Sequence, residues 1–219
     1  MRIATIALTV TLVLSACGGL FGRGGEGPVT SETRSVTPFT RVDVNNGILL
    51  TIRIDPGLRI GATQPVEVSA QQNLLSIIKT EVLGDTLRIQ SSEGFQTSER
   101  VEITIVTSTL QGVTLSGGSN GTVEGLDADQ FQISLSGGSV LTAGGQADSV
   151  VVSASGGSRT ELDGLTARTA TVDASGGSRV NLRATDTVTG SASGGSHVSV
   201  AGGATLNVTS SGGAEVTTR

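Results

Sequence analysis

The sequence predicts an all-β protein whose C-terminal half is a right-handed parallel β-helix, preceded by a less regular β-rich portion. The motif Ser-Gly-Gly-Ser recurs every 18–20 residues, which is the predicted coil length. Apolar and polar residues alternate before each motif, as in strands with one buried face. Gly contributes 32 of the 219 residues and aromatic residues only 2%. The core is therefore predicted to be thin and filled with Val, Leu, Ile and Ala.

Residues 1–16 are predicted to be a lipoprotein signal peptide. Arg2 precedes an apolar run from Ile3 to Leu14, which is shorter than the roughly 20 residues that span a bilayer. The tetrapeptide Leu14-Ser15-Ala16-Cys17 matches the lipobox of bacterial lipoproteins, so Cys17 is the predicted lipidation site. An ordinary signal peptide followed by an unrelated cysteine is the alternative. The lipid places the protein in the cell envelope, at the periplasmic face of the outer membrane or at the cell surface.

Residues 17–35 are predicted to be the lipidated cysteine and a flexible Gly-rich tether, because this segment lacks any periodic pattern. Residues 36–110 form the predicted N-terminal β-rich part, with period-2 alternation such as Leu50, Ile52 and Ile54. Within it, residues 73–79 fit either a helical turn or an irregular strand.

Residues 111–219 are the predicted β-helix. Ser-Gly-Gly-Ser begins at residues 116, 136, 155, 175 and 193, and Ser-Gly-Gly-Ala at residue 211. The position two residues before each motif is always polar, and those one and three before are mostly apolar. Each coil is thus a strand, a Gly-Gly corner, a second strand and a variable return, with the motif serines expected to form hydroxyl ladders. The predicted corner glycines are Gly117, Gly118, Gly137, Gly138, Gly156, Gly157, Gly176, Gly177, Gly194, Gly195, Gly212 and Gly213.

The charge pattern excludes some partners. The net charge is −5, Lys79 is the only lysine, and no aromatic platform is present, so nucleic acid is not an expected partner. With a single histidine and a single cysteine, no metal site and no cofactor are predicted.

One column of side chains suggests a binding site. Arg159, Arg179 and His197 each directly follow a motif, so they should lie on neighbouring rungs. Two interpretations remain open: solvated charges flanked by carboxylates, or an anion-binding strip for an acidic envelope polysaccharide or a protein partner.

The sequence offers little support for catalysis. The Leu115-Ser116-Gly117-Gly118-Ser119 segment is similar to the signature loop of ATP-binding cassettes, but no Walker A motif accompanies it. A triad of Ser196, His197 and Asp186 has no predicted oxyanion hole. A non-enzymatic adhesion, scaffold or partner-binding module is therefore expected, and a β-helical polysaccharide lyase or hydrolase is the alternative. The carboxylates that the alternative would need are expected at scattered coil positions: Asp127, Asp129, Asp148, Glu161 and Asp163.

The last strand, Val216–Arg219, is predicted either to fray or to self-associate, because no capping element follows it in the sequence.

The chain resembles bacterial proteins that carry the head GIN domain of autotransporter adhesins. The resemblance runs from about Phe39 to Glu215 and rests on residues 39–48 (FTRVDVNNGI), residues 86–89 (TLRI) and the Ser-Gly-Gly-Ser coils. Gly47-Ile48 is followed by Leu49 rather than Asn, so the triplet that names the family is only partly kept. The resemblance implies a β-helical fold at the cell envelope and brings no catalytic residues with it.

Overall fold

The computed structural model describes residues 22–59, 61 and 63–219, and over these residues the chain is all β. Cys17 and the predicted signal peptide lie outside the described residues. The predicted fold class is confirmed: the coils form a parallel β-helix with a continuous apolar interior. The strands are β1 (Arg23–Gly24), β2 (Val29–Val36), β3 (Arg41–Val44), β4 (Leu49–Ile54), β5 (Gln64–Gln71), β6 (Ile78–Leu83), β7 (Thr86–Ser91), β8 (Phe95–Gln96), β9 (Glu102–Thr107), β10 (Gly112–Leu115), β11 (Asn120–Leu135), β12 (Val140–Ala154), β13 (Arg159–Ala174), β14 (Arg179–Ala192), β15 (His197–Ala201), β16 (Thr205–Ser210) and β17 (Glu215–Thr218).

The C-terminal coils stack in parallel and in register. Each long strand runs from one corner, through the return segment of the coil, to the next corner. Strands β11 and β12 pair along this whole course, apart from one register shift. Side chains that point inward are almost fully buried; Ile133, Val152 and Val172, for example, form one column on consecutive rungs. A single coil could not exclude water from these side chains, so stacking creates the core.

The corners have the geometry that the glycines predict. In each corner both glycines have positive φ, about 63° and 80° at Gly176 and Gly177. The backbone N–H of Ser178 donates to the carbonyl of Ser175 at 3.2 Å, which completes a turn of type I′ character. A Cβ on Gly176 would lie 3.1 Å from the backbone nitrogen of Gly156 in the rung beside it. Both the turn and the stacking therefore require glycine at the first position.

The expected hydroxyl ladders between motif serines are wrong. The second serine of each Ser-Gly-Gly-Ser motif is buried, and its hydroxyl donates to a backbone carbonyl. Ser119 bonds the Ser116 carbonyl at 2.8 Å, and Ser178 bonds the Ala154 carbonyl at 3.1 Å. A buried hydroxyl needs a partner, and a backbone carbonyl of the same corner or of the neighbouring rung supplies it.

The N-terminal part continues the solenoid, but not in chain order. Strands β3 and β4 form a coil that pairs in parallel with β10 and β11 on one side. On the other side the same two strands pair in parallel with β7 and β9, which come later in the chain. The first coil along the chain is therefore the second in the stack.

An antiparallel cap covers this end of the stack. Strand β5 pairs with β9 and with β2, and β6 pairs with β7, all antiparallel. The predicted tether of residues 17–35 is thus too long, because Val29–Val36 is a strand of the cap. Its eight residues are mostly polar and solvent-facing, and they are ordered by backbone pairing to β5, whose Val66 and Val68 are fully buried. Of residues 73–79, whose conformation the sequence left open, residues 73–77 are turns that bury Leu74 and Ile77, and the last two begin β6.

Candidate functional site

The column of Arg159, Arg179 and His197, called the basic strip below, lies on one outer face of the solenoid. The register pairs Arg159 with Arg179 and Arg179 with His197, so the three side chains occupy consecutive rungs. Rungs of a sheet lie about 4.8 Å apart. The column ends at Glu215, whose Oε2 lies 3.2 Å from Nδ1 of His197.

The arginines of the basic strip differ in their neighbours. Arg159 Nε lies 3.8 Å from Glu161 Oε1, and half of the Arg159 side chain is exposed. A second oxygen of Glu161 accepts a hydrogen bond from Asn181 at 2.7 Å. Arg179 is exposed between two basic neighbours and forms no ion pair with a described carboxylate. The strip therefore carries uncompensated positive charge at its centre, on a chain whose net charge is negative.

A second polar surface, the acidic groove, runs along the return segments of the coils and encloses about 980 Å³. The expectation that the aspartates are scattered is wrong for this surface. Asp127, Asp129, Asp148 and Asp186 all line the groove. Asp129, Asp148 and Asp186 each stand seven residues before the next Ser-Gly-Gly motif, so stacking of the coils brings them to one side. Glu161 lies instead beside the basic strip.

The acidic groove does not provide the carboxyl environments that glycoside hydrolysis needs. Arg168 lies between Asp148 and Asp186, at 4.0 and 3.4 Å from their carboxylate oxygens. Asp127 accepts a hydrogen bond from Gln146 at 3.2 Å. Asp148 and Asp186 are 67% and 48% exposed, whereas a general acid near neutral pH needs a carboxyl group shielded from water. The groove is a solvated surface on which Arg168 offsets part of the negative charge.

The residues of the hypothetical serine triad are not brought together. Ser196 is buried and its hydroxyl donates to the Ala174 carbonyl at 3.2 Å. His197 contacts Glu215, and Asp186 contacts Arg168. Among the described residues, no group of His, Cys, Asp and Glu could hold a metal ion, and no helix is long and apolar enough to cross a membrane.

Most of the described chain matches a known protein family. Residues 38–204 match the family model described as "Putative auto-transporter adhesin, head GIN domain". The chain belongs to this family. The match begins just before β3 and ends after β15, so the head GIN domain includes most of the cap and all of the basic strip.

Solved structures share the fold of this head GIN domain protein at low sequence identity. A protein of Bacteroides fragilis described as a "putative adhesin" superposes with a TM-score of 0.70 at 17% identity, covering 90% of this chain and 99% of its own. A protein of Parabacteroides distasonis described as a "Putative lipid binding protein" gives a TM-score of 0.56 at 12% identity, covering 90% and 98%. Another protein of that organism, described as a "putative adhesin", gives a TM-score of 0.52 at 17% identity, covering 90% and 99%. A search of curated proteins gives no match.

Proposed function

We propose that this protein is a lipid-anchored, non-enzymatic module of the cell envelope that binds an acidic polymer through the basic strip. The adhesin-type family and the adhesin structures that share the fold support a module of this kind. The observation that carries the proposal is the alignment of Arg159, Arg179 and His197 on consecutive rungs. The preferred ligand is an envelope polysaccharide with regularly spaced carboxylates, and an acidic protein surface is the alternative.

Repulsion between the two arginines of the basic strip favours binding of an anion. Two like charges about 5 Å apart repel one another, and an anion between them removes that repulsion while forming charge-assisted hydrogen bonds. The strip is exposed, so each contact contributes little by itself and binding needs several contacts along the polymer. Salt is expected to weaken the binding, because the Debye length is only about 10 Å at 0.1 M ionic strength.

Substitution of both strip arginines tests the proposal. Arg159→Ser with Arg179→Ser should reduce binding to isolated acidic envelope polysaccharide at least about tenfold, measured by co-sedimentation at low salt, because the central positive charge is lost. Arg53→Ser with Arg88→Ser is the matched control: it changes the net charge equally, but it removes arginines that pair with Glu124 and Asp43 away from the strip.

Two results would contradict this function. Unchanged binding by the strip variant would remove the basic strip from the site. Breakdown of the polysaccharide that is lost in Asp148→Asn would instead show a glycan-degrading enzyme that uses the acidic groove.

The anchor is tested separately at Cys17. Cys17→Ser should move the protein from the membrane fraction to the soluble envelope fraction and abolish labelling with a fatty-acid probe, since two or three acyl chains provide nearly all of the membrane affinity. The Arg159→Ser, Arg179→Ser variant should remain in the membrane fraction. Persistence of the Cys17→Ser protein in membranes would show that lipidation is not its anchor.

A further inference from the structure

The two ends of the solenoid are finished differently. At the N-terminal end, the antiparallel cap adds β2 beside β5 and β6 beside β7. The Arg34 guanidinium of β2 donates to the carbonyls of Ile78 and Leu75 at 2.6 and 2.8 Å, and Glu32 pairs with the same group. Lys79 adds a charge to β6, as protected sheet edges commonly do.

The C-terminal end lacks these features within the described residues. Strand β16 pairs with β14 and β17 pairs with β15, and no described strand pairs with their outer edges. Neither β16, TLNVTS, nor β17, EVTT, contains a proline, and Glu215 is their only charged residue. An edge of this composition readily accepts another strand.

Burial decreases at the last described coil. Val188 and Val198 are fully buried, whereas Leu206 and Val216, one rung further along the same columns, are only half-buried. Two further inward columns, those of Ala192 and Val200, end on the polar residues Ser210 and Thr218. A second copy of the same coil offers matching unpaired backbone groups and a side chain to cover Val216.

We propose that the C-terminal coil pairs with the same coil of a second copy of this chain, with β17 antiparallel to β17 across a two-fold axis. The inward side chains of both copies point into the same interior only if one residue of β17 lies directly opposite the same residue of the second copy. The two-fold axis then passes between these two residues. Of the registers available to β17, the one centred on Thr217 places Val216 opposite Thr218 in the interior. The same register places Glu215 opposite Arg219 twice on the outer face.

The charges favour this register over its neighbours. Centring on Val216 or on Thr218 leaves Glu215 and Arg219 without an opposite charge across the axis. Within one chain, Glu215 contacts His197 and Arg219 contacts Asp163. All of these side chains are substantially exposed, so the pairs within one chain and the pairs across the axis are individually weak and interchangeable.

The symmetry limits the size of the assembly. Contact between two identical ends is isologous and closes after two copies. The N-terminal ends are covered by the cap, so they do not continue the stack. The proposal therefore predicts a dimer and not a fibre.

A cysteine placed on the axis tests the interface directly. The full chain with Cys17→Ser and Thr217→Cys contains one thiol, which the two-fold axis brings next to its copy, within the Cα separation that a disulfide spans. We expect at least ten times more disulfide-linked dimer after mild oxidation than for the matched control, Cys17→Ser with Thr142→Cys. Thr142 is exposed in the same column but lies in the middle of the solenoid.

Charge reversal tests the register. Glu215→Arg and Arg219→Glu should each lower the dimer fraction in sedimentation several-fold, and the double exchange should restore it. A monomer in sedimentation, equal cross-linking of the two cysteine variants, or growth into long polymers would each overturn the proposal. A second variant keeps Cys17 and carries only Thr217→Cys. In its unacylated form, an intrachain disulfide between the two cysteines would also overturn the proposal, because it would show that the N-terminal segment occupies the edge of β17.

Discussion

At the scale of single residues, the two glycines of each corner have different tasks. Both have positive φ, so any Cβ there adds about 1 kcal/mol of backbone strain. A Cβ added to Gly177 would point into open space, whereas one added to Gly176 would lie against the backbone of Gly156. The backbone of the neighbouring rung cannot move away without breaking the stack.

This difference predicts unequal effects of the same substitution. Gly177→Ala should lower the free energy of unfolding by about 1 kcal/mol. Gly176→Ala should lower it by a further 1–3 kcal/mol or so, because the added methyl overpacks against the adjacent rung. Urea unfolding followed by circular dichroism would measure both variants. Equal losses would show that stacking contributes nothing to the requirement for glycine.

Asn46 shows how local context relaxes the same requirement. It occupies the position of the first corner glycine in the coil formed by β3 and β4, and its φ is 69°. Strand β7 of the neighbouring rung continues to Ser91 here, and the Asn46 side chain accepts a hydrogen bond from the backbone N–H of Ser91 at 3.4 Å. Asn tolerates the left-handed region better than most residues, so this corner forms without a Gly-Gly pair.

At the scale of elements, the sequence predicts the position of any residue that lies at a constant distance from the Ser-Gly-Gly corners. The distance from each corner to Arg159, Arg179 and His197 is fixed, so their placement on consecutive rungs follows from the motif alone. The returns contain register shifts, for example between Val123 and Leu126. Beyond these shifts the same rule holds, because Asp129, Asp148 and Asp186 each stand seven residues before the next corner. The sequence therefore contained the signal for the acidic groove, and counting back from the following motif would have found it.

Non-local pairing accounts for the other errors. The pattern of β3 and β4 predicts strands, but not their insertion between β10–β11 and the later strands β7 and β9. Strand β2 has too few apolar residues to be recognised, because its order comes from backbone bonds to β5. Strand position in a stack depends on partners far along the chain, which a single-sequence pattern does not encode.

At the scale of the whole molecule, the two polar surfaces separate charge along the coil. The basic strip follows the corners, whereas the acidic groove follows the returns, where Asp127, Asp129, Asp148 and Asp186 outnumber the arginines. A chain with a net charge of −5 can therefore still present a positive face to an acidic polymer. Because every rung contacts only its neighbours, stability is expected to vary along the stack.

Hydrogen exchange should reveal this gradient. In the monomer, at low protein concentration, amides of β16 and β17 should exchange fastest among the coil strands, and those of β11–β13 slowest, because the central rungs are paired on both sides. The cap should keep exchange in β7 and β9 slow despite their position near the other end.

Arg34→Met should specifically speed exchange in β2 and β6, since the carbonyls of Leu75 and Ile78 lose their donor. Exchange that is uniform along the stack, or that is unchanged in Arg34→Met, would contradict a solenoid closed at one end and open at the other.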